Sequence, residues 1–236
     1  MANSYLTANT GTATNAKKFT LSMWIKRGNL CDTNSQRFYQ GYKDGNNRFY
    51  VMFDGTNSNP DTLWIYAVTG GTVELYWTSA RKFRDTNGWY HFVFQADSTL
   101  GTAADRLKVY VNNVLETSFT KTNNPGSNID WGNQLAQTNG DLTISGTESQ
   151  TQHFDGYMSH VAFVDGQALA PTQFGETDST SGIWKFKSPS GITWGNNGYH
   201  LKFENSGNLG LDSSGEGNNF TTNGNLKQSL STPSNI

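Results

Sequence analysis

Cysteine is nearly absent. Cys31 is the only one in 236 residues, so neither an intrachain disulfide nor a thiolate metal cluster can form, and the fold rests on its core. Charge is scarce as well: Lys plus Arg number 17 and Asp plus Glu 19, 15% of the chain, where roughly a quarter is usual. The formal net charge of -2 supplies no basic field to draw in phosphate, which argues against nucleic acid as a partner. No apolar run approaches the roughly 18 residues of a membrane span. Met1-Ala2-Asn3-Ser4-Tyr5 lacks the basic and then apolar pattern of an export signal. The expectation is a soluble product made in the cytosol, not inserted in a membrane, which can still act outside the cell after lysis.

Neutral polar groups and aromatic rings are abundant instead. The chain holds 26 Asn, 28 Thr and 21 Ser beside 7 Trp, 10 Tyr and 14 Phe, too many rings for a disordered segment. Apolar residues recur at period two, with no 3.6-residue or heptad runs, which predicts a β protein. Strands are expected at 19–26, 49–53, 63–68, 73–78, 89–96, 107–111, 141–145, 158–164 and 201–204. Turn formers such as Asp44-Gly45-Asn46-Asn47 punctuate them. Parallel pairing needs long crossovers that are missing, so the predicted fold is all-β: an antiparallel two-sheet sandwich. One helical turn is expected at Pro171. After Glu204 the chain turns rich in Gly, Asn and Ser and the strand pattern weakens. This divides it into a sandwich over 1–204 and an irregular C-terminal extension over 205–236, packed on the sandwich or on a neighbouring subunit.

Several segments together resemble the concanavalin A-like jelly rolls of the laminin-G-like kind. Phe19-Thr-Leu-Ser-Met-Trp-Ile-Lys-Arg27 is similar to the opening strand and Gly88-Trp-Tyr-His-Phe-Val-Phe94 to the family's Trp-x-His segment. Leu107-Lys-Val-Tyr-Val-Asn-Asn-Val-Leu115 resembles its strand and turn, with Asn112-Asn113 in place of the common Asp-Gly. Phe154-Asp-Gly-Tyr-Met-Ser-His-Val161 resembles the closing strand, with Ser159-His160 where acidic residues are common. The C-terminal third is similar to a set found in structural proteins of tailed, particularly marine, phages. Its pieces are Leu169-Ala-Pro-Thr-Gln-Phe-Gly-Glu176, Thr180-Ser-Gly-Ile-Trp-Lys185, Gly195-Asn-Asn-Gly-Tyr-His-Leu-Lys-Phe203, Leu209-Gly-Leu-Asp-Ser-Ser-Gly-Glu-Gly-Asn-Asn-Phe220 and Ser231-Thr-Pro-Ser-Asn235. The resemblance implies a virion protein on the particle exterior: a capsid decoration, head fibre or tail-fibre part. Other virion proteins, further copies of the chain and host-surface polysaccharide are its implied partners.

The residues carry little chemistry. Glycoside hydrolysis on a related sandwich needs two carboxylates about 5 Å apart, yet no Glu-x-Asp-x-Glu arrangement occurs among Glu74, Glu116, Glu148, Glu176, Glu204 and Glu216. Nucleophile-elbow, phosphate-loop and His-Glu-x-x-His patterns are missing too, so the reading is non-enzymatic. His153 and His160 stand seven apart, on opposite faces of a regular strand, which disfavours a shared metal. Asp212, Ser214 and Glu216 alternate like the first half of a calcium loop. Asn223 stands at the twelfth position instead of a bidentate glutamate, so a solvated turn is preferred and calcium stays an alternative. Arg81-Lys82-Phe83-Arg84 reads as a solvated basic loop.

Two indoles sit among turn formers and are the candidates for glycan binding: Trp131 with Asp130 and Asn133, and Trp194 with Asn196 and Tyr199. The alternative is that each caps an open edge of the sandwich or packs on a neighbouring subunit. A dedicated carbohydrate-binding adhesin is the second functional reading. A polysaccharide hydrolase is the third, kept because the fold permits it.

Overall fold

The computed structural model describes residues 4–56, 58–121, 123–135 and 141–233. Its strands, in chain order, begin with β1 (Tyr5–Asn9), β2 (Lys18–Arg27), β3 (Gln36–Asp44), β4 (Asn47–Phe53), β5 (Thr62–Thr69), β6 (Thr72–Lys82), β7 (Tyr90–Asp97) and β8 (Leu107–Val111). They continue with β9 (Val114–Leu115), β10 (Phe119–Lys121), β11 (Asp141–Ile144), β12 (Gly156–Asp165), β13 (Gly175–Thr177), β14 (Trp184–Phe186), β15 (Tyr199–Leu201) and β16 (Thr221–Asn223). Among the described residues helix is confined to short turns at Ala103–Asp105, Gly132–Leu135 and Pro171–Gln173, the last where proline presets the first helical φ. No helix among the described residues is long and apolar enough to cross a membrane.

The strands form two large antiparallel sheets. One has eight strands in the order β10-β6-β5-β4-β3-β11-β1-β16; the other has six, β15-β12-β2-β7-β8-β9. Alternation on the pleat sends one side of each strand inward: Leu21, Met23 and Ile25 from β2, Phe92 and Phe94 from β7, Phe49, Val51 and Phe53 from β4, and Leu63 and Ile65 from β5 are all fully buried. Their rings meet across the two layers, Phe19 with Phe49 at 5.8 Å and Phe38 with Phe92 at 5.9 Å. This is the predicted sandwich.

Two-residue turns set the register of the flanking hairpins. Gly70 and Gly71 (φ 57° and 82°) join β5 to β6, and Asn112 and Asn113 (φ 50° and 67°) join β8 to β9. A left-handed conformation at both central positions matches strand twist, and Asn tolerates it better than other residues with a Cβ.

The segment after Glu204 holds one short strand, β16, and packs on the sandwich. Phe220 is buried and meets Tyr199 edge-on at 4.8 Å, and β16 pairs with β1 at the edge of the large sheet. The outer side of the six-stranded sheet is covered too. The β13–β14 hairpin lies over it, with Trp184 Nε1 donating to His91 Nδ1 at 3.0 Å and Phe186 stacked on His160 at 3.4 Å. That cover explains why β2 is buried on both faces at its centre.

Candidate functional site

The outer side of the eight-stranded sheet has a different character. Positions alternating with the core residues of β4, β5 and β6 should be polar if they only met water. They are instead Tyr50, Trp64, Tyr66 and Tyr76, all half-buried. Cross-strand register lines up Gln40, Tyr50, Tyr66 and Tyr76 in one row over β3 to β6, with Met52, Trp64 and Thr78 in the next. The rings support one another: Tyr50 stacks on Tyr66 at 5.1 Å, Trp64 tilts on Tyr76 at 5.4 Å, and Tyr66 meets Tyr76 edge-on at 5.8 Å. Contacts of this kind stiffen the group beyond what burial alone provides.

Two arginines frame the rings. The Arg37 guanidinium lies 4.0 Å from the Tyr50 ring centroid, and that of Arg48 lies 5.6 Å from the Tyr66 centroid. Arg37 also donates to Gln40 Oε1, and Gln40 Nε2 donates to Glu148 Oε2 at 2.6 Å. Burial lowers the Arg37 pKa, against the opposing pull of Tyr50 and Glu148 and with the push of Arg48. Burial also pushes the Tyr50 phenol up to about 12, so it stays a neutral donor near neutral pH. The face thus offers aromatic planes, amide and phenol hydrogen-bonding groups, and two cations. The signal in the sequence was the ring content of the outward positions in Phe49–Phe53 and Leu63–Val68, which the strand pattern alone marked as solvent-facing.

The structure places five of the six side chains singled out from the sequence. Trp131 is 1% exposed and packs edge-on against Phe19 at 5.5 Å, so its faces are inside the core and no sugar ring reaches them. Asp130 accepts the Gly132 N–H at 2.9 Å; the side chain of Asn133 lies outside the described residues. Tyr199 is also 1% exposed, its hydroxyl 3.0 Å from that of Tyr39 between the sheets. Trp194 is half-buried and stacks on His200 at 5.7 Å. Asn196 ties the loop to the N-terminal segment, its N–H donating to Thr14 Oγ1 and its side chain to Thr12 O. Trp131 and Tyr199 thus lie in the core, while Trp194 and Asn196 hold the loop that precedes β15.

The Asp212 loop is closed on itself. Asp212 Oδ1 accepts the His200 and Ser214 N–H groups, and Oδ2 accepts Ser214 Oγ and the Asn218 N–H. Among the described residues no three His, Cys, Asp or Glu side chains gather as a metal site. The basic loop is internally paired, Arg81 with Glu116 at 3.5 Å and Arg84 with Asp61 at 2.9 Å. A cleft of about 680 Å³ opens beside β12, where Met158, Lys202, Phe203 and Leu226 are among its walls. It is bounded on one side by the C-terminal segment and lacks the stacked-ring platform of the large sheet.

Residues 1–173 match the sequence profile of a laminin-G type within the concanavalin A-like lectin/glucanases superfamily. Comparison with curated protein sequences gives no match. Among solved structures, the chain is similar to a candidate carbohydrate binding protein from Bacteroides ovatus, with a TM-score of 0.64 and 18% identity, covering 98% of this chain and 59% of that one. The chain thus spans little more than half the length of that protein. It is also similar, more distantly, to a heptameric SAP-like pentraxin from Limulus polyphemus (TM-score 0.47, 18% identity, 81% of this chain and 82% of that one). A third is domain 4 of AbnA, a GH43 extracellular arabinanase from Geobacillus stearothermophilus, in complex with arabinotriose (TM-score 0.44, 18% identity, 67% and 65%). With nearly three quarters of its length matched and the two-sheet architecture in place, the chain belongs to the concanavalin A-like lectin/glucanase superfamily.

Proposed function

We propose that the chain is a non-catalytic carbohydrate-binding module whose contact surface is the outer face of the eight-stranded sheet. The observation that carries this is the row of Tyr50, Tyr66 and Tyr76 with Trp64, held rigid on three adjacent strands where polar residues would otherwise stand. The C–H faces of a pyranose ring are apolar and pack on aromatic planes, while its hydroxyls need amide, phenol and guanidinium partners of the kind set around the rings. A rigid platform also limits the ordering entropy lost on binding. The non-catalytic part of the reading is supported by the carboxylates beside the face: Glu148 is held by Gln40, and Glu74 accepts the Gly126 N–H.

The same reading places the module on the exterior of a tailed-phage particle, as a capsid decoration or fibre subunit that assembles with other virion proteins and with copies of itself. Its support is the sequence resemblance of the C-terminal third.

A glycan array followed by calorimetry tests the binding role. Trp64→Ala and Tyr66→Ala should each weaken the best ligand at least tenfold, about 1.4 kcal/mol, without lowering the unfolding midpoint by more than a few degrees. Unchanged affinity in both would move the site elsewhere, and turnover of a polysaccharide by the purified protein would replace binding with hydrolysis. Locating the chain's density on intact particles tests the virion part; absence from the particle overturns it.

A further inference from the structure

We propose that the glycan taken by this face is acidic, with Arg37 and Arg48 receiving its carboxylate or sulfate groups. The inference rests on the preceding reading of the face and adds the ligand's charge class. The chain has six arginines, and four are committed internally. Arg27 pairs with Asp61, Arg81 with Glu116 and Arg84 with Asp61, while Arg106 donates to the carbonyls of Leu100, Gly101 and Pro125. Arg37 and Arg48 have neither kind of partner: among the described residues no carboxylate oxygen lies within 4.0 Å of them and no backbone carbonyl accepts from them, Arg37 donating only to Gln40 Oε1.

Both are nonetheless half-buried, and each has its Nε enclosed without an acceptor. Partial desolvation of a cation is unfavourable unless a counter-charge is near, so charged groups removed from water are usually paired. Here two like charges stand close enough to disfavour one another, with Glu148 as the nearby carboxylate and its Oε2 already accepting from Gln40. Glu74, the other carboxylate beside the face, accepts the Gly126 N–H, so neither guanidinium is directly paired with an acid. The guanidiniums lie over the Tyr50 and Tyr66 rings; Arg48, which makes no side-chain hydrogen bond among the described residues, can offer its Nη edge to a carboxylate or sulfate through two parallel hydrogen bonds, while Arg37, whose Nη1 donates to Gln40 Oε1, adds charge and its remaining Nη2 donor.

Single-stranded nucleic acid also combines stacking with phosphate contacts. It is the weaker fit, because two cations within a chain of net charge -2 give no track for a phosphate backbone, and the rings lean on one another instead of standing apart to take successive bases.

The test compares matched polymers by affinity electrophoresis and calorimetry: polygalacturonate against its fully methyl-esterified form, and a sulfated galactan against neutral galactan, with an oligothymidylate as a further arm. Acidic polymers should bind at least tenfold tighter than their neutral partners, and the preference should shrink when NaCl is raised from 50 to 500 mM. Arg48→Gln, which removes no hydrogen bond among the described residues, should erase at least fivefold of the preference. Arg37→Lys should keep part of it, because the charge remains while the planar fork is lost.

Equal binding of neutral and acidic polymers, sensitive to Trp64→Ala, would overturn the charge assignment and leave the preceding reading intact. Tighter binding of the oligothymidylate would overturn it as well. No binding of any carbohydrate would overturn both.

Discussion

The β13–β14 hairpin predicts a steep loss of stability in mild acid, because it is clamped by histidines that must stay neutral. Trp184 Nε1 lies 3.0 Å from His91 Nδ1, and Ser22 Oγ lies 2.8 Å from Nε2. An indole N–H only donates, so Nδ1 carries the lone pair and Nε2 carries the proton. A second proton on Nδ1 would face the indole N–H and end that bond. His91 also stacks on Trp24 at 4.4 Å. Behind it, His160 Nδ1 lies 3.3 Å from His200 Nε2, and Phe186 and Trp194 cover the two rings.

Burial, aided by His160, holds His91 down to about 3; burial, aided by His200 and Lys202, does the same for His160; burial and Lys202 hold His200 to about 4, all from 6.5. The folded pKa values are thus depressed. Between pH 6.5 and about 4 the unfolded chain binds three protons that the folded chain refuses, so stability is complete above 6.5 and falls as the pH is lowered. At pH 5 each histidine contributes a loss of about 2 kcal/mol, about 6 kcal/mol for the three, against a total of roughly 5–15 kcal/mol for a typical domain. Asp61, Asp97 and Asp178 have lowered pKa values and titrate below this window.

Urea unfolding at constant ionic strength from pH 7.5 to 5 should show a slope approaching about 4 kcal/mol per pH unit at the acid end. His91→Gln, whose amide can still donate to Ser22 and accept from Trp184, should cut that slope by about a third. A stability flat to within about 1 kcal/mol over this range would refute the reasoning.

Three further outcomes follow from the packing. Arg27 is fully buried, donates to Asp61 Oδ1 and Phe83 O at 2.7 Å each, and lies 4.4 Å from the Phe53 ring centroid. Arg27→Met should therefore cost about 3–5 kcal/mol by leaving Asp61 short of its partner, and a loss under about 1 kcal/mol in chemical denaturation would show the pair to be dispensable. Ending the chain at Glu204 removes β16, Leu209 and Phe220 from their packing; the product should lose near-ultraviolet circular dichroism and cooperative unfolding, whereas a sharp transition would mean the sandwich closes without them. Asn113→Gly relieves a left-handed residue at φ 67° and should add up to about 1 kcal/mol of stability; Asn112 is kept, because its Oδ1 accepts the His91 N–H.

Period-two patterning revealed strands wherever one side was uniformly apolar, as in Leu107–Val111, which matches β8 residue for residue. It missed β3, because Gly41 and irregular register at Arg37/Tyr39 and Tyr42/Asp44 interrupt the alternation. It missed β1 and β16 because both are short, and an edge strand with a polar outer side, such as Thr221–Asn223, carries no apolar rhythm and is defined only by its partner. The Gly- and Asn-rich tail read as a separable extension for the same reason: a few scattered side chains, Leu209, Phe220 and Leu226, commit it to the core, and isolated apolar residues in a run of turn formers do not reveal what they pack against.

The candidate site shows the same limit in reverse. Trp131 and Trp194 stood out because their neighbours are turn formers, but local composition says where the backbone bends and nothing about where the indole goes. Tyr50, Trp64, Tyr66 and Tyr76 were hidden inside good strands, where each ring is one more β-favouring residue. Only the register across β4, β5 and β6 brings them into two adjacent rows of one face, and that register depends on a two-glycine turn and bulges between residues far apart in the chain. A face made of alternate residues from several strands is therefore a property of the pairing. What a single strand could have revealed is narrower: a large apolar or aromatic side chain on both sides of the pleat, as in Phe49-Tyr50 and Leu63-Trp64, means that the side away from the core either is covered by another element or is a surface for something else. Here the six-stranded sheet took the first course, under the β13–β14 hairpin, and the proposed binding role assigns the eight-stranded sheet to the second.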